Sequence, residues 1–225
     1  MFHIFMKIMG KNVVIIGGTS GLGLSTAKYL SDKGYCVVIG GRTNKNIEKG
    51  IHFIKVDVRD EKSISSFFQS LPFTELNSII YSAGVTTSKK SIQNFDKTEY
   101  MKLHDVNVIG LILTLKSSYE LLKQSKGKVV VISSIAAKTY SKFSGFEYTI
   151  SKASLSGLVN QLAIDWSIDE ILINSVRPSM IETPMLLKNI NKSDIEIIEK
   201  NIPLGRLCKS EEVSAIIEFL ISQKN

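Results

Sequence analysis

The chain has 225 residues, 44% of them hydrophobic and 22% charged, with a formal net charge of +7. That length suits one well-buried core and leaves little for a second domain. Its lysines are scattered, with no basic run and no aromatic ladder, so nucleic-acid binding is not expected and the charge is read as favouring anionic small molecules and solubility.

Met1 to Gly10 is apolar, yet it has no leading basic region and no small-residue cleavage site, so a ragged N-terminal extension is expected there, with Met6 or Met9 as alternative initiators. Short β-branched runs at 12–16, 36–39, 51–56, 78–81, 128–132 and 171–176 predict strands. Amphipathic stretches at 21–33, 60–70, 97–125, 146–167, 193–200 and 210–222 predict helices. The link 42–50 is too short for a full crossover helix and predicts a turn or a single helical turn. Strands that are apolar almost throughout, alternating with helices, predict a parallel sheet covered on both faces. The fold class is α/β, a Rossmann-type doubly wound sheet of about six main strands in one domain over residues 1–225. The longest apolar stretch beyond the N-terminus, Val106 to Leu115, is well short of the roughly 18 residues a membrane span needs, so no membrane role is expected. Cys36 and Cys208 form neither a CxxC motif nor a disulfide framework, so reduced thiols and a cytoplasmic location are expected, and no metal site is.

In such a sheet ligands bind beyond the carboxyl ends of the strands. After the first strand stand Gly17, Gly18, Thr19, Ser20, Gly21, Leu22 and Gly23, a GxxxGxG turn opening a helix whose free N–H groups suit a pyrophosphate. The second strand ends in Gly41, where NAD-specific proteins often carry a carboxylate, and Arg42 with Thr43 follows. A guanidinium there suits a 2′-phosphate, so NADP(H) is preferred over NAD(H), a solvated turn residue being the plainer reading of Arg42.

Tyr148 and Lys152, four apart, share one face of the 146–167 helix and follow Ser133 and Ser134. A free phenol has a pKa of about 10 and exchanges its proton poorly at neutral pH. An ammonium at about 4 Å, in an effective dielectric of about 20, favours the phenolate by roughly 4 kcal/mol, or about three pKa units. Tyr148 is therefore expected to act as general acid or base.

With the glycine turn, Ser134, Tyr148 and Lys152 in this order, residues 10–222 resemble the short-chain dehydrogenase/reductase family, in particular its 3-oxoacyl-carrier-protein reductase-like members. The resemblance implies that Asp57 and Val58 contact adenine, that Ser82, Ala83 and Gly84 replace the family's Asn-Ala-Gly, and that Asn107 holds a water linked to Lys152. It gives Ser134 the substrate oxygen, with Ser133 as the open alternative, makes Tyr148 the proton donor, and has Lys152 tune Tyr148 and bind ribose. Pro178, Ile181 and Thr183 would lie beside the nicotinamide. Ile16, Ser82 and Ser179 depart from the family's usual residues, and the chain stops at Asn225 without the family's last strand. A more open substrate side is therefore expected. A homodimer through the 97–125 and 146–167 helices is expected over a tetramer.

The implied activity is NADP(H)-dependent interconversion of a ketone or aldehyde and an alcohol on a small-molecule substrate. The alternative is a non-catalytic NADP(H)-binding sensor or scaffold. Lys89, Lys90, Lys138 and Lys142, with Thr86, Thr87, Tyr140 and Phe143, suggest a cationic, partly aromatic mouth for an anionic substrate such as an acyl thioester or sugar derivative; solvated surface lysines are the commoner reading. Met180, Met185, Leu186 and Leu187 suggest a mobile lid, with ordinary helix packing as the alternative.

Overall fold

The computed structural model describes residues 11–44, 47–141, 143–187 and 192–223. Six strands, β1 (Asn12–Ile16), β2 (Cys36–Gly41), β3 (Ile51–Lys55), β4 (Ser78–Tyr81), β5 (Lys128–Ile132) and β6 (Leu172–Val176), form one sheet in the order β3-β2-β1-β4-β5-β6. Every neighbouring pair is parallel. The strands are apolar on both faces because helices cover both. In β1, Val13 and Ile15 enter one hydrophobic cluster while Val14 and Ile16 enter the other, as the two-residue alternation of a strand requires.

On the Val13 side, α1 (Gly21–Asp32) packs against α8 (Ser210–Ser222), and the buried hydroxyls of Thr26 and Ser214 meet at 3.0 Å. The opposite face carries α2 (Glu61–Gln69), α4 (Gly110–Ser125) and α5 (Phe146–Asp165). Two short helices, α6 (Pro184–Leu187) and α7 (Lys192–Lys200), follow β6. Ile198 and Leu207 form a small cluster there with Phe143, Met180, Leu186, Ile195 and Ile202. Of the four residues expected in a lid, Met180 and Leu186 belong to this cluster, and the side chains of Met185 and Leu187 lie outside the described residues. The described part of the 42–50 link contains no helix, in keeping with its length. No described helix is long and apolar enough to cross a membrane.

The stretch 97–125, expected as one helix, is interrupted. It runs as α3 (Lys97–His104), a π-helical turn over Asp105–Ile109, and then α4. The wider turn frees a carbonyl from the regular ladder, and the fully buried Tyr81 at the end of β4 donates its hydroxyl to Val106 O at 2.6 Å. Gly110 closes the turn where a side chain would stand 2.6 Å from that hydroxyl and 2.9 Å from Val58. The apolar spacing on either side continues through the inserted residue, so periodicity alone did not reveal it.

Strand order reverses between β1 and β4, since the chain builds outward from β1 through β2 to one edge and from β4 to the other. A cleft opens at this point, beyond the carboxyl ends of the strands.

Candidate active site

The cleft encloses about 830 Å³. At its base β1 runs into Gly17, whose φ of +84° suits glycine, and a methyl there would fall on the backbone of Ala83. Gly21, at φ +53°, would place a methyl in ordinary contact with Thr183 at 3.7 Å, so its backbone conformation and not crowding suits glycine. The start of α1 is bare: Ser20 makes no side-chain cap and the first turn has no acidic residue. By contrast, Asp60 caps α2 and Asp96 caps α3. The uncapped N–H groups and the positive end of α1 are thus left to an anion in the cleft.

At the end of β2, a side chain on Gly41 would stand 2.6 Å from Thr19 Cγ2, so the position where a carboxylate would meet ribose hydroxyls is already crowded. Arg42 lines the cleft; Thr43 is exposed and does not. After β3, Asp57 and Val58 line the same end together with Arg59. Arg59 grips Asp57 with Nη2 to Oδ2 at 2.6 Å and Nε to Oδ1 at 3.0 Å. That fork, helped by the charge of Arg42, holds the Asp57 carboxyl at about 2. Arg59 was not anticipated from sequence, though an arginine two residues after the acid at a strand end is a signal that could have found it.

Ser82, Ala83 and Gly84 follow β4 and line the centre of the cleft, as do Ser134, Tyr148 and Lys152. Tyr148 and Lys152 stand on adjacent turns of α5. Lys152 is buried, donates from Nζ to Ile132 O at 2.8 Å, and lies 5.8 Å from the centroid of the Tyr148 ring. Burial lowers its pKa to about 8. Tyr148 is raised by burial, an effect opposed by a hydrogen bond with Ser134. The expected lowering of Tyr148 by the ammonium is therefore corrected: the Lys152 charge is turned to a backbone carbonyl, and desolvation of the phenol outweighs it. Ser133 is resolved from Ser134 as well. Its buried hydroxyl donates to Lys152 O at 3.2 Å, whereas Ser134 meets Tyr148 and also accepts from Ala136 N at 3.2 Å.

Asn107, in the π turn, is fully buried and lies behind the cleft wall. Its Oδ1 accepts from Val85 N at 2.8 Å, while Nδ2 donates to Val85 O at 3.0 Å and to Ser151 Oγ at 3.0 Å. Ser151 in turn donates to Tyr148 O at 2.8 Å. The amide hydrogens of Asn107 are thus committed to the Val85 loop and to α5, joining a wall of the cleft to the helix that carries Tyr148. Ser151 and Tyr81 complete this support and were not singled out from sequence, because only the fold brings them to the π turn. Gly23 is also buried behind the cleft, packed where a methyl would strike the Gly17 carbonyl.

Pro178, Ile181 and Thr183 line the cleft, and Thr183 stands 3.7 Å from where a methyl on Gly21 would lie. Pro178 O accepts from Ile135 N at 3.0 Å, and Met180 O from Cys208 N at 3.0 Å. At the mouth, Thr86, Thr87, Tyr140 and Phe143 line the cleft, but Lys89, Lys90 and Lys138 do not; Lys142 lies outside the described residues. Lys90 is held instead by Glu99 and, at 3.8 Å, by the fully buried Glu147. Ser88 and Thr139 line the cleft, so exposed Lys89 and Lys138 stand beside its mouth without lining it.

The family model described as enoyl-(acyl carrier protein) reductase matches residues 17–225. A 3alpha-hydroxysteroid dehydrogenase of Mediterraneibacter gnavus is 26% identical, the match covering 97% of this chain and 92% of that one. The 3-oxoacyl-[acyl-carrier-protein] reductase FabG of Aquifex aeolicus is 27% identical, with 97% and 92% covered. Among solved structures, ElxO with NADP bound superposes with a TM-score of 0.88 at 26% identity, covering 96% of this chain and 93% of that one. The chain belongs to the short-chain dehydrogenase/reductase family and is an oxidoreductase acting on alcohols or ketones.

Proposed function

We propose that this family member prefers NADP(H) and interconverts a ketone or aldehyde with an alcohol, Tyr148 giving the proton in reduction and taking it in oxidation. The observation that carries the proposal is the meeting of Ser134, Tyr148 and buried Lys152 at the centre of one cleft. The site also fits a phosphorylated dinucleotide. The bare start of α1 and the turn with Gly17 and Gly21 would take a pyrophosphate, Asp57 and Val58 the adenine, and Arg42 a 2′-phosphate. Crowding at Gly41 by Thr19 and the cationic Arg42 both support NADP(H), and the similar ElxO was solved with NADP bound. Lys152 and Tyr148 would hold the ribose, and Pro178, Ile181 and Thr183 the nicotinamide. Such a group supplies or accepts the hydride at the carbonyl carbon.

In reduction the Ser134 hydroxyl orients the substrate oxygen and Tyr148 transfers its proton to it. The phenolate that results lies near the Lys152 ammonium, which is largely protonated at pH 7 with a pKa of about 8 and would have to turn from the Ile132 carbonyl to stabilise it. Asn107 and Ser151 hold α5 and the Val85 loop in register. A sensor that binds cofactor without turnover is disfavoured by this assembled set. The anionic substrate suggested by the lysines has little support, since none of the described ones lines the cleft. Self-association is proposed through the outer faces of α4 and α5 and the π turn, where Ile109, Ile112 and Ile150 are exposed; a monomeric mass at micromolar concentration would remove that idea.

Tyr148→Phe tests the chemistry. NADPH should bind within about threefold of wild type, and turnover of ketones should fall by about 100-fold or more. Unchanged turnover would overturn the assignment of the acid.

A further inference from the structure

We infer that the substrate is a neutral ketone or secondary alcohol with an apolar aliphatic or alicyclic body, and not one that brings a carboxylate into the cleft. The inference rests on the carbonyl–alcohol chemistry proposed above and names the substrate class for it. Among the described residues, the charged side chains lining the cleft are Arg42, Asp57, Arg59 and Lys152. The first three follow β2 and β3, while Ser134 and Tyr148 follow β5, on the other side of the strand reversal. Lys152 faces the Ile132 carbonyl.

Beyond Tyr148 the wall is mainly apolar, made by Phe143, Met180, Leu186, Ile197, Ile198 and Ile202, and its polar members there, Ser179 and Asn201, are uncharged. Ile197 is exposed and sets an apolar lip on α7, and the other five apolar residues belong to the small cluster beneath that helix. The facing loops offer hydroxyls, among them Thr86 and Ser141. Hydroxyls can serve a neutral polar substituent but cannot neutralise a carboxylate.

Lys90, the lysine expected to attract an anion, is already paired. Glu147 has no exposed surface, its two carboxylate oxygens find no hydrogen-bond donor, and Lys90 is the cation it faces at 3.8 Å. Turning Lys90 towards a substrate would leave a buried carboxylate without a counter-charge. A carboxylate drawn into the cleft beside Tyr148 would thus lose its hydration and meet no free cation among the described lining residues at this end, whereas an apolar body gains by burial.

The test uses the full-length protein loaded with NADPH and two ligands that share one ring and one carbonyl, methyl 4-oxocyclohexanecarboxylate and the free 4-oxocyclohexanecarboxylate. Binding is measured by calorimetry at pH 7 and turnover by NADPH absorbance. The ester should bind about tenfold or more tightly than the free carboxylate. Ile202→Lys should shrink or reverse that ratio with NADPH affinity unchanged. Equal or tighter binding of the free carboxylate, no measurable binding of the ester at millimolar concentration, or an unmoved ratio in an Ile202→Lys protein that still binds NADPH would each overturn the inference. Binding of the ester without turnover supports the substrate class and counts instead against the proposed reaction.

Discussion

Replacing Lys152 by Met should make the protein more stable at pH 7 while removing turnover. Burial lowers the Lys152 pKa from 10.5 to about 8. At about 1.36 kcal/mol for each tenfold change in proton affinity, holding the ammonium in the fold costs about 3 kcal/mol at neutral pH. Methionine fills a similar volume without charge, but it strands the Ile132 carbonyl that now receives Nζ at 2.8 Å, which costs about 1–2 kcal/mol. The net gain expected at pH 7 is about 1–2 kcal/mol. Below pH 8 the folded and unfolded wild-type chains both carry the proton, so the penalty is present in full. Between about 8 and 10.5 the unfolded chain binds more protons than the folded one, and wild-type stability rises relative to the variant. Guanidinium unfolding of both proteins at several pH values from 6.5 to 10 reads this directly. A variant less stable than wild type at pH 7, or a stability difference that does not change with pH over that range, would refute the reasoning. A stabilised and inactive variant would show Lys152 to be retained for chemistry at a cost to the fold.

Arg42→Asp should reverse the cofactor preference, weakening NADP(H) by about tenfold or more through loss of the cation and repulsion of the 2′-phosphate, as measured by the ratio of kcat/KM for NADPH and NADH. A preference that stays with NADPH would remove Arg42 from the phosphate site. Tyr81→Phe should cost about 1–2 kcal/mol by leaving Val106 O without its donor. It should also lower kcat more than it raises KM, because the π turn carries Asn107, which braces α5; thermal unfolding together with steady-state kinetics separates the two effects, and a variant as stable as wild type would show that the hydroxyl does not hold the turn.

Much of the site was legible because its residues sit at strand ends, where a doubly wound sheet gathers them. Gly17, Arg42, Asp57, Ser82 and Ser134 each follow a strand that apolar β-branched runs had marked, and all five line one cleft. Residues that act from behind the wall were less legible. Tyr81 ended a predicted strand, and nothing in the sequence marked Ser151 or Glu147. Their partners are remote in sequence: Tyr81 meets Val106, Ser151 meets Asn107, and Glu147 faces Lys90. The lysines at the mouth misled for a related reason. Formal charge can be counted along a chain, but whether Lys90 is available to a ligand depends on the carboxylates folded against it.

The amino-acid order alone determined the parallel α/β architecture, the strand ends at which function gathers, and the candidate proton-transfer residues, because hydrophobic period and turn chemistry are local properties. Tertiary structure decided which serine meets Tyr148, where the Lys152 ammonium points, and how uncharged the substrate end is among the described residues. Those outcomes depend on burial and on partners far away in the chain, and burial is what turned the expected lowering of the tyrosine into a raised phenol beside a lowered lysine.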